Sequence, residues 1–195
     1  IARFGKFQDH KGGEQNLNLF DVKFSTYTFI LFGNLPVEIK SEVNRRAKLA
    51  SIEVKFINNV SDEKKFELLS RCECQIFLSS FEGYGYPPIE SAYVGTPSII
   101  YPLDVFKETI GSSAFYIDDI NQIKKKYDEY INQYDAEETR DKIIEKTSLD
   151  SYSKRIDYII KRSKSINNLS FLETVLVHFR YALMCFINKI NELRK

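Results

Sequence analysis

The feature that most constrains this chain is the alternation, over its first two-thirds, of short apolar runs with helix-compatible stretches. A short uninterrupted apolar run bounded by Gly, Pro or Asn suits a strand buried on both faces. The stretches between such runs are long enough for crossover helices, so the pattern predicts parallel βαβ units. Thr28-Phe29-Ile30-Leu31-Phe32-Gly33 is one such run, and Pro36 then opens a helical stretch to about Leu49, with Val37, Val43 and Ala47 at helical spacing. Ile52 to Ile57 alternates as a strand, and Ser61 followed by Asp62 and Glu63 starts a helix carried on by Phe66, Leu68 and Leu69. Gln75 to Leu78, Pro97 to Tyr101 and Ala114 to Ile117 are further strands. From Asp119 onward the pattern is helical, with breaks near Tyr134, Ser148 and Asn167-Asn168. The expected fold class is α/β: a doubly wound parallel-sheet domain over residues 1–148, followed by a helical tail over residues 149–195.

Composition narrows the partners. Twenty-eight Lys plus Arg nearly cancel twenty-seven Asp plus Glu, so no global basic field points to nucleic acid. A local phosphate site needs only a few cations and stays open. Cys72, Cys74 and Cys185, with His10 and His178, lack the spacing of a zinc site, and reduced thiols in a cytoplasmic protein are the plain reading. No apolar run approaches the ~18 residues of a membrane span. Ile1-Ala2-Arg3-Phe4 before Gly5 reads as the end of a strand entering a turn, which predicts a further domain N-terminal to this chain.

In open parallel sheets, ligands gather beyond the carboxyl ends of the strands, where loops pass into helix N-termini. Three loops fit: Gly5 to Gly12, Gly33 to Pro36, and Ser79 to Pro88. In the third, Gly83 and Gly85 allow a close backbone approach, and Pro87 and Pro88 suit a helix's first turn. The loop amides and the helix N-terminus make a donor-rich concavity for an anion. Two carboxylates, Glu82 and Glu90, flank it. Beside a phosphate they would repel, so they better suit accepting hydrogen bonds from hydroxyls at either end of a ligand. A nucleoside diphosphate sugar has that layout. The plainer alternative makes Glu90 a favourable acid near a helix N-terminus and Glu82 a solvated loop residue.

The stretch from Glu82 to Gly95, EGYGYPPIESAYVG followed by Thr96-Pro97, resembles the E-x7-E motif of glycosyltransferase family 4. Arg3-Phe4-Gly5-Lys6 with Lys11-Gly12 resembles that family's strand-end G-R loop and following K-G, and Pro102 to Asp118 is similar to its G-x-A-x-Y-x-D run. The similarity covers roughly Arg3 to Ile160. It implies the donor-binding, C-terminal Rossmann-like half of a retaining GT-B enzyme, with the N-terminal acceptor domain absent. By position, Glu82 contacts the transferred sugar and Glu90 the ribose, while Gly83, Tyr84, Gly85 and Tyr86 line the sugar and diphosphate. Arg3 and Lys11 grip the diphosphate, with Lys6 as a rival for Lys11; a forked guanidinium and a point charge suit phosphoryl oxygens. One departure is that no long apolar helix follows Gly13.

The resemblance further implies transfer, from a UDP-, GDP- or ADP-sugar, of a hexosyl group to a glycan or lipid-linked acceptor, in bacterial surface polysaccharide synthesis. No cofactor and no metal are implied, and the sequence has no Asp-x-Asp to hold one. The fragment by itself is expected to be inactive. Rival readings are a nucleotide-sugar-binding module, a split-enzyme subunit, or a GT-B epimerase. In the tail, Leu169 to Ile190 carries apolar residues at helical spacing with scattered Lys and Arg. Peripheral contact with the inner membrane face is one reading of it, and packing on protein is the plainer one.

Overall fold

The computed structural model describes residues 11–22 and 27–163. The expected strand at Ile1 to Phe4, the candidates Arg3 and Lys6, the break at Asn167-Asn168, Cys185 and the helix over 169–193 lie outside these residues.

Among the described residues every strand pairing is parallel, as the apolar runs predict. β1 (Thr28–Phe32) lies beside β2 (Glu53–Ile57), with Leu31 opposite Phe56. β3 (Gln75–Phe77), β4 (Ser98–Ile100) and β5 (Phe115–Tyr116) form a second group in that order. β3 and β4 are buried at every residue, the burial expected of a strand covered on both faces.

Alternation along these strands divides the core in two. Ile76, Leu78 and Ile99 join a cluster with Phe29, Leu31, Val43 and Ile123, whereas Phe77 and Ile100 join one with Ile89, Phe106 and Ile143. Successive residues of a strand point to opposite faces, so apolar side chains cover both sides of β3 and β4. This is the doubly wound, Rossmann-like α/β arrangement.

The helices follow their punctuation. α1 (Gly13–Leu17) is short and passes into a 3-10 turn at Asn18–Asp21, in keeping with the missing long helix after Gly13. α2 (Val37–Ala50) starts behind Pro36 and buries Val43 and Ala47. Val37 does not belong to that stripe: it is 74% exposed, and Ile39 packs against the core instead. α3 (Asp62–Ser70) is capped by the Ser61 hydroxyl, which accepts from the Lys64 amide at 3.3 Å.

α4 (Tyr86–Tyr93) stops just before Gly95, which takes a left-handed backbone at φ 80°. There the Thr96 amide donates to the Ser91 carbonyl at 2.9 Å and the Gly95 amide to that of Ala92 at 3.0 Å. α5 (Asp104–Thr109) is a helix that periodicity did not disclose, because the segment is too short for a repeating stripe. α6 (Ile123–Tyr130) and α7 (Ala136–Thr147) follow, the latter begun by the Asp135 carboxylate accepting from the Glu138 amide at 2.8 Å.

The chain divides into two compact units, residues 1–144 and 145–195. The second contains α8 (Leu149–Ser163), capped by the Ser148 hydroxyl accepting from the Ser151 amide at 3.2 Å; Leu149 and Tyr158 are exposed. No helix among the described residues is long and apolar enough to cross a membrane.

Candidate functional site

β3 is followed by the loop Ser79 to Gly85, and that loop by α4. The Ser79 hydroxyl donates to the Phe81 carbonyl at 3.0 Å, tightening the turn beneath Glu82. Gly85 is the N-cap of α4 at φ 81°, a left-handed backbone that disfavours any side chain. A Cβ there would also lie 2.2 Å from Cε1 of Phe106, which is fully buried on α5. The loop is thus seated on α5. Phe106 itself packs edge-on to Phe77 of β3, with ring centroids 6.2 Å apart.

A second close approach brings in the N-terminal segment. Gly12, at φ 85°, would place a Cβ 2.7 Å from the backbone carbonyl oxygen of Leu78. Only a residue without a side chain lets this turn sit directly on the end of β3. Lys11 therefore reaches the loop, and its ammonium donates to Glu82 Oε1 at 2.5 Å. This couples two segments 71 residues apart in sequence. Glu82 is only 10% exposed, so it is not the solvated loop residue of the plainer alternative.

Glu90 is held differently. It stands in the second turn of α4, beyond the reach of a helix N-terminal dipole effect. Its partner is Lys65 of α3, whose ammonium donates to Glu90 Oε1 at 2.9 Å and to Asp62 Oδ1 at 2.8 Å. Lys65 and Glu90 are 13% and 12% exposed.

Pro87 and Pro88 have no amide hydrogens to offer, so the backbone donors at this end of the fold come from the loop and Tyr86 rather than from a full helical turn. Tyr84 and Tyr86 place their rings 4.9 Å apart beside that loop. Of the candidate residues, the structure brings together Lys11 and Glu82, sets Gly83 to Gly85 between Glu82 and α4, and places Tyr86 and Glu90 on α4. Lys65 and Phe106 were missed. The sequence did carry a signal for Lys65, because it is spaced i, i+4 with the buried Leu69 and so stands on the helix's inner face.

The family model of glycosyl transferases group 1 matches residues 1–150. The chain belongs to this family. Among group 1 relatives, a serotype-specific mannosyltransferase WbdA of Escherichia coli is 32% identical over 117 residues, covering 57% of this chain and 14% of that protein. Another WbdA is 30% identical over 138 residues, covering 67% and 17%. The chain therefore spans less than a fifth of the length of these relatives.

Of solved structures, TarM superposes with a TM-score of 0.63 at 16% identity, covering 80% of this chain and 34% of that one. Anabaena HepE in complex with UDP and glucose does so with a TM-score of 0.61 at 16% identity, covering 83% and 47%. These likenesses support a GT-B glycosyltransferase domain fold.

Proposed function

We propose that this chain is the donor-binding half of a retaining family 4 glycosyltransferase, and that the site around Glu82 and Glu90 takes a nucleoside diphosphate sugar. The observation that carries the reading is the pair of well-shielded carboxylates, Glu82 and Glu90, on either side of a glycine-rich loop, each neutralised by a lysine from another segment. Neutralised carboxylates can accept from sugar and ribose hydroxyls while a diphosphate lies between them. The mannosyltransferase relatives favour mannose as the sugar transferred and a bacterial surface polysaccharide as the product.

In this reading Lys11 and Arg3 contact the diphosphate. Charge develops on the β-phosphate as its bond to the anomeric carbon breaks, and fixed cations stabilise it more strongly the further that bond has opened. Lys11, hydrogen-bonded to Glu82, links the sugar-contacting carboxylate to the leaving group. Glu82 positions the sugar, and the acceptor hydroxyl attacks the anomeric carbon on the face from which the nucleoside diphosphate leaves, through an oxocarbenium-like state, its proton passing to the departing β-phosphate oxygen. No residue here is asked to form a covalent glycosyl intermediate. The acceptor is a glycan or lipid-linked glycan bound by a further, N-terminal domain.

Calorimetric titration of the chain with UDP, GDP, ADP and their sugars tests this. Binding of at least one nucleoside diphosphate, with transfer only when the N-terminal domain is present, is the expected result. No binding by any of them at millimolar concentration would rule out the donor site.

A further inference from the structure

α3 and the turn that follows it present Lys65, Leu68, Leu69 and Cys72 inward, spaced i, i+3, i+4 and i+7. Three of these are the small or apolar residues that such a stripe calls for. Lys65 is not, and at 13% side-chain exposure it carries a charge into a position where an aliphatic side chain would pack at lower desolvation cost. An ion pair across two elements at such a place is weak evidence for stability, which leaves its purpose to be found at the partner, Glu90.

The surroundings of Glu90 already fix its backbone. Ile89 and Ser91 on either side are buried, and the Ser91 hydroxyl donates to the Thr96 carbonyl at 2.9 Å. Within that frame the Lys65 ammonium, donating to Glu90 Oε1 at 2.9 Å, bears on the direction of the carboxylate. Lys65 sets it from a firmly held point. Its ammonium is drawn to Asp62 on its own helix at 2.8 Å and lies 4.7 Å from the Phe66 ring centroid, so it meets Glu90 with little freedom of its own.

We propose that Lys65 is a positioning residue for Glu90, holding its carboxylate in the orientation that accepts a ribose hydroxyl and cancelling its charge toward the diphosphate. The proposal rests on the ribose assignment of Glu90 made above. Lys65 does not touch the nucleotide in this account. Its contribution is selective for the hydroxyl that Glu90 receives, whereas a lysine that merely held α3 to α4 would affect all nucleotides alike.

The test is calorimetry with UDP and GDP and with their 2′-deoxy and 3′-deoxy forms, on wild type, Lys65→Met, Lys65→Arg and Glu90→Ala. Wild type is expected to prefer the ribonucleotide over one deoxy form by roughly tenfold, the size of a hydrogen bond to a charged acceptor. Lys65→Met should collapse that preference to within about threefold of parity, while Lys65→Arg, which restores the cation and a donor, should keep most of it. Glu90→Ala should abolish the preference, and adding Lys65→Met to it should change the preference no further.

If Glu90→Ala loses the preference but Lys65→Met retains it, the positioning role is wrong while the ribose assignment survives. If Glu90→Ala retains the preference, the ribose assignment fails and this inference falls with it. Should Lys65→Met not fold, Lys65→Gln provides the neutral comparison. An equal loss of ribo and deoxy binding that Lys65→Arg does not rescue would mark a purely structural residue and overturn the proposal.

Discussion

The two ends of the site are equally shielded and differently held. Glu82 and Glu90 are 10% and 12% exposed, and each meets one lysine. Yet Glu82 sits in a loop next to Gly83, where an added Cβ would meet nothing within 4 Å, and next to Phe81, which is 71% exposed. Glu90 sits inside a helix between buried neighbours, and its lysine comes from the adjacent helix, 25 residues away. If Glu82 serves the sugar and Glu90 the nucleoside, as proposed, the sugar end has room to adapt and the nucleoside end is preset. A domain built this way can keep one nucleotide geometry while the sugar it admits changes through loop residues.

Glycine substitution breaks the comparison most forcefully. Gly85→Ala would drive a Cβ into the buried Phe106 ring at a left-handed backbone position, so a loss of about 3 kcal/mol or more of unfolding free energy is expected. Gly83→Ala has open space and no positive φ, and its cost should stay within about 0.5 kcal/mol. Denaturant unfolding of both variants checks this. Equal losses would mean that the loop is uniformly packed and that the adaptable end does not exist.

A smaller effect is expected from the cations. Lys11→Ala and Arg3→Ala should each weaken nucleoside diphosphate binding by roughly tenfold and leave free nucleoside binding nearly unchanged. Added salt should weaken the wild-type complex more than that of the double variant, because part of the screened attraction is already removed. Lys6→Ala is the control. If Lys6→Ala is damaging and Lys11→Ala silent, the phosphate contact belongs to Lys6.

The mildest probe reads the frame behind Glu90. Burial pushes the Cys74 thiol up to about 12 and also raises that of the half-buried Cys72. Since the thiolate is the reactive form, both stay protonated at pH 8 and should alkylate slowly, Cys74 more slowly than Cys72. Peptide mapping after iodoacetamide treatment should find the same order in Lys65→Met. Fast labelling of Cys74 in that variant would show that Lys65 holds α3 against β3 rather than orienting a carboxylate.

Much of this was readable from the chain. The strands announced themselves because both faces of β3 and β4 are buried, which forces uninterrupted runs such as Gln75 to Leu78 and Pro97 to Tyr101. The loop announced itself because glycines, prolines and carboxylates cannot sit together so closely without a reason in the backbone or in a ligand. Val37 misled because apolar residues at a helix's first position need not face the core.

Lys65 was hidden for a physical reason. A lysine at helical spacing looks like a solvated surface residue until the neighbouring helix supplies its partner, and β3 separates the two helices in sequence. Phe106 was hidden likewise, since its contact with Gly85 depends on how α5 packs, which no local pattern encodes.

The central claim is that Glu82 serves the sugar and Glu90 the nucleoside. It is tested most directly by measuring the affinities of GDP and GDP-mannose, with UDP and UDP-glucose alongside, for wild type, Glu82→Ala and Glu90→Ala. The account predicts that Glu90→Ala weakens the nucleotide and its sugar by the same factor, roughly ten- to a hundredfold. Glu82→Ala should weaken only the sugar nucleotide, removing whatever affinity the sugar adds. Two variants that lose nucleotide and sugar nucleotide in the same proportion, or that bind both like wild type, would contradict it.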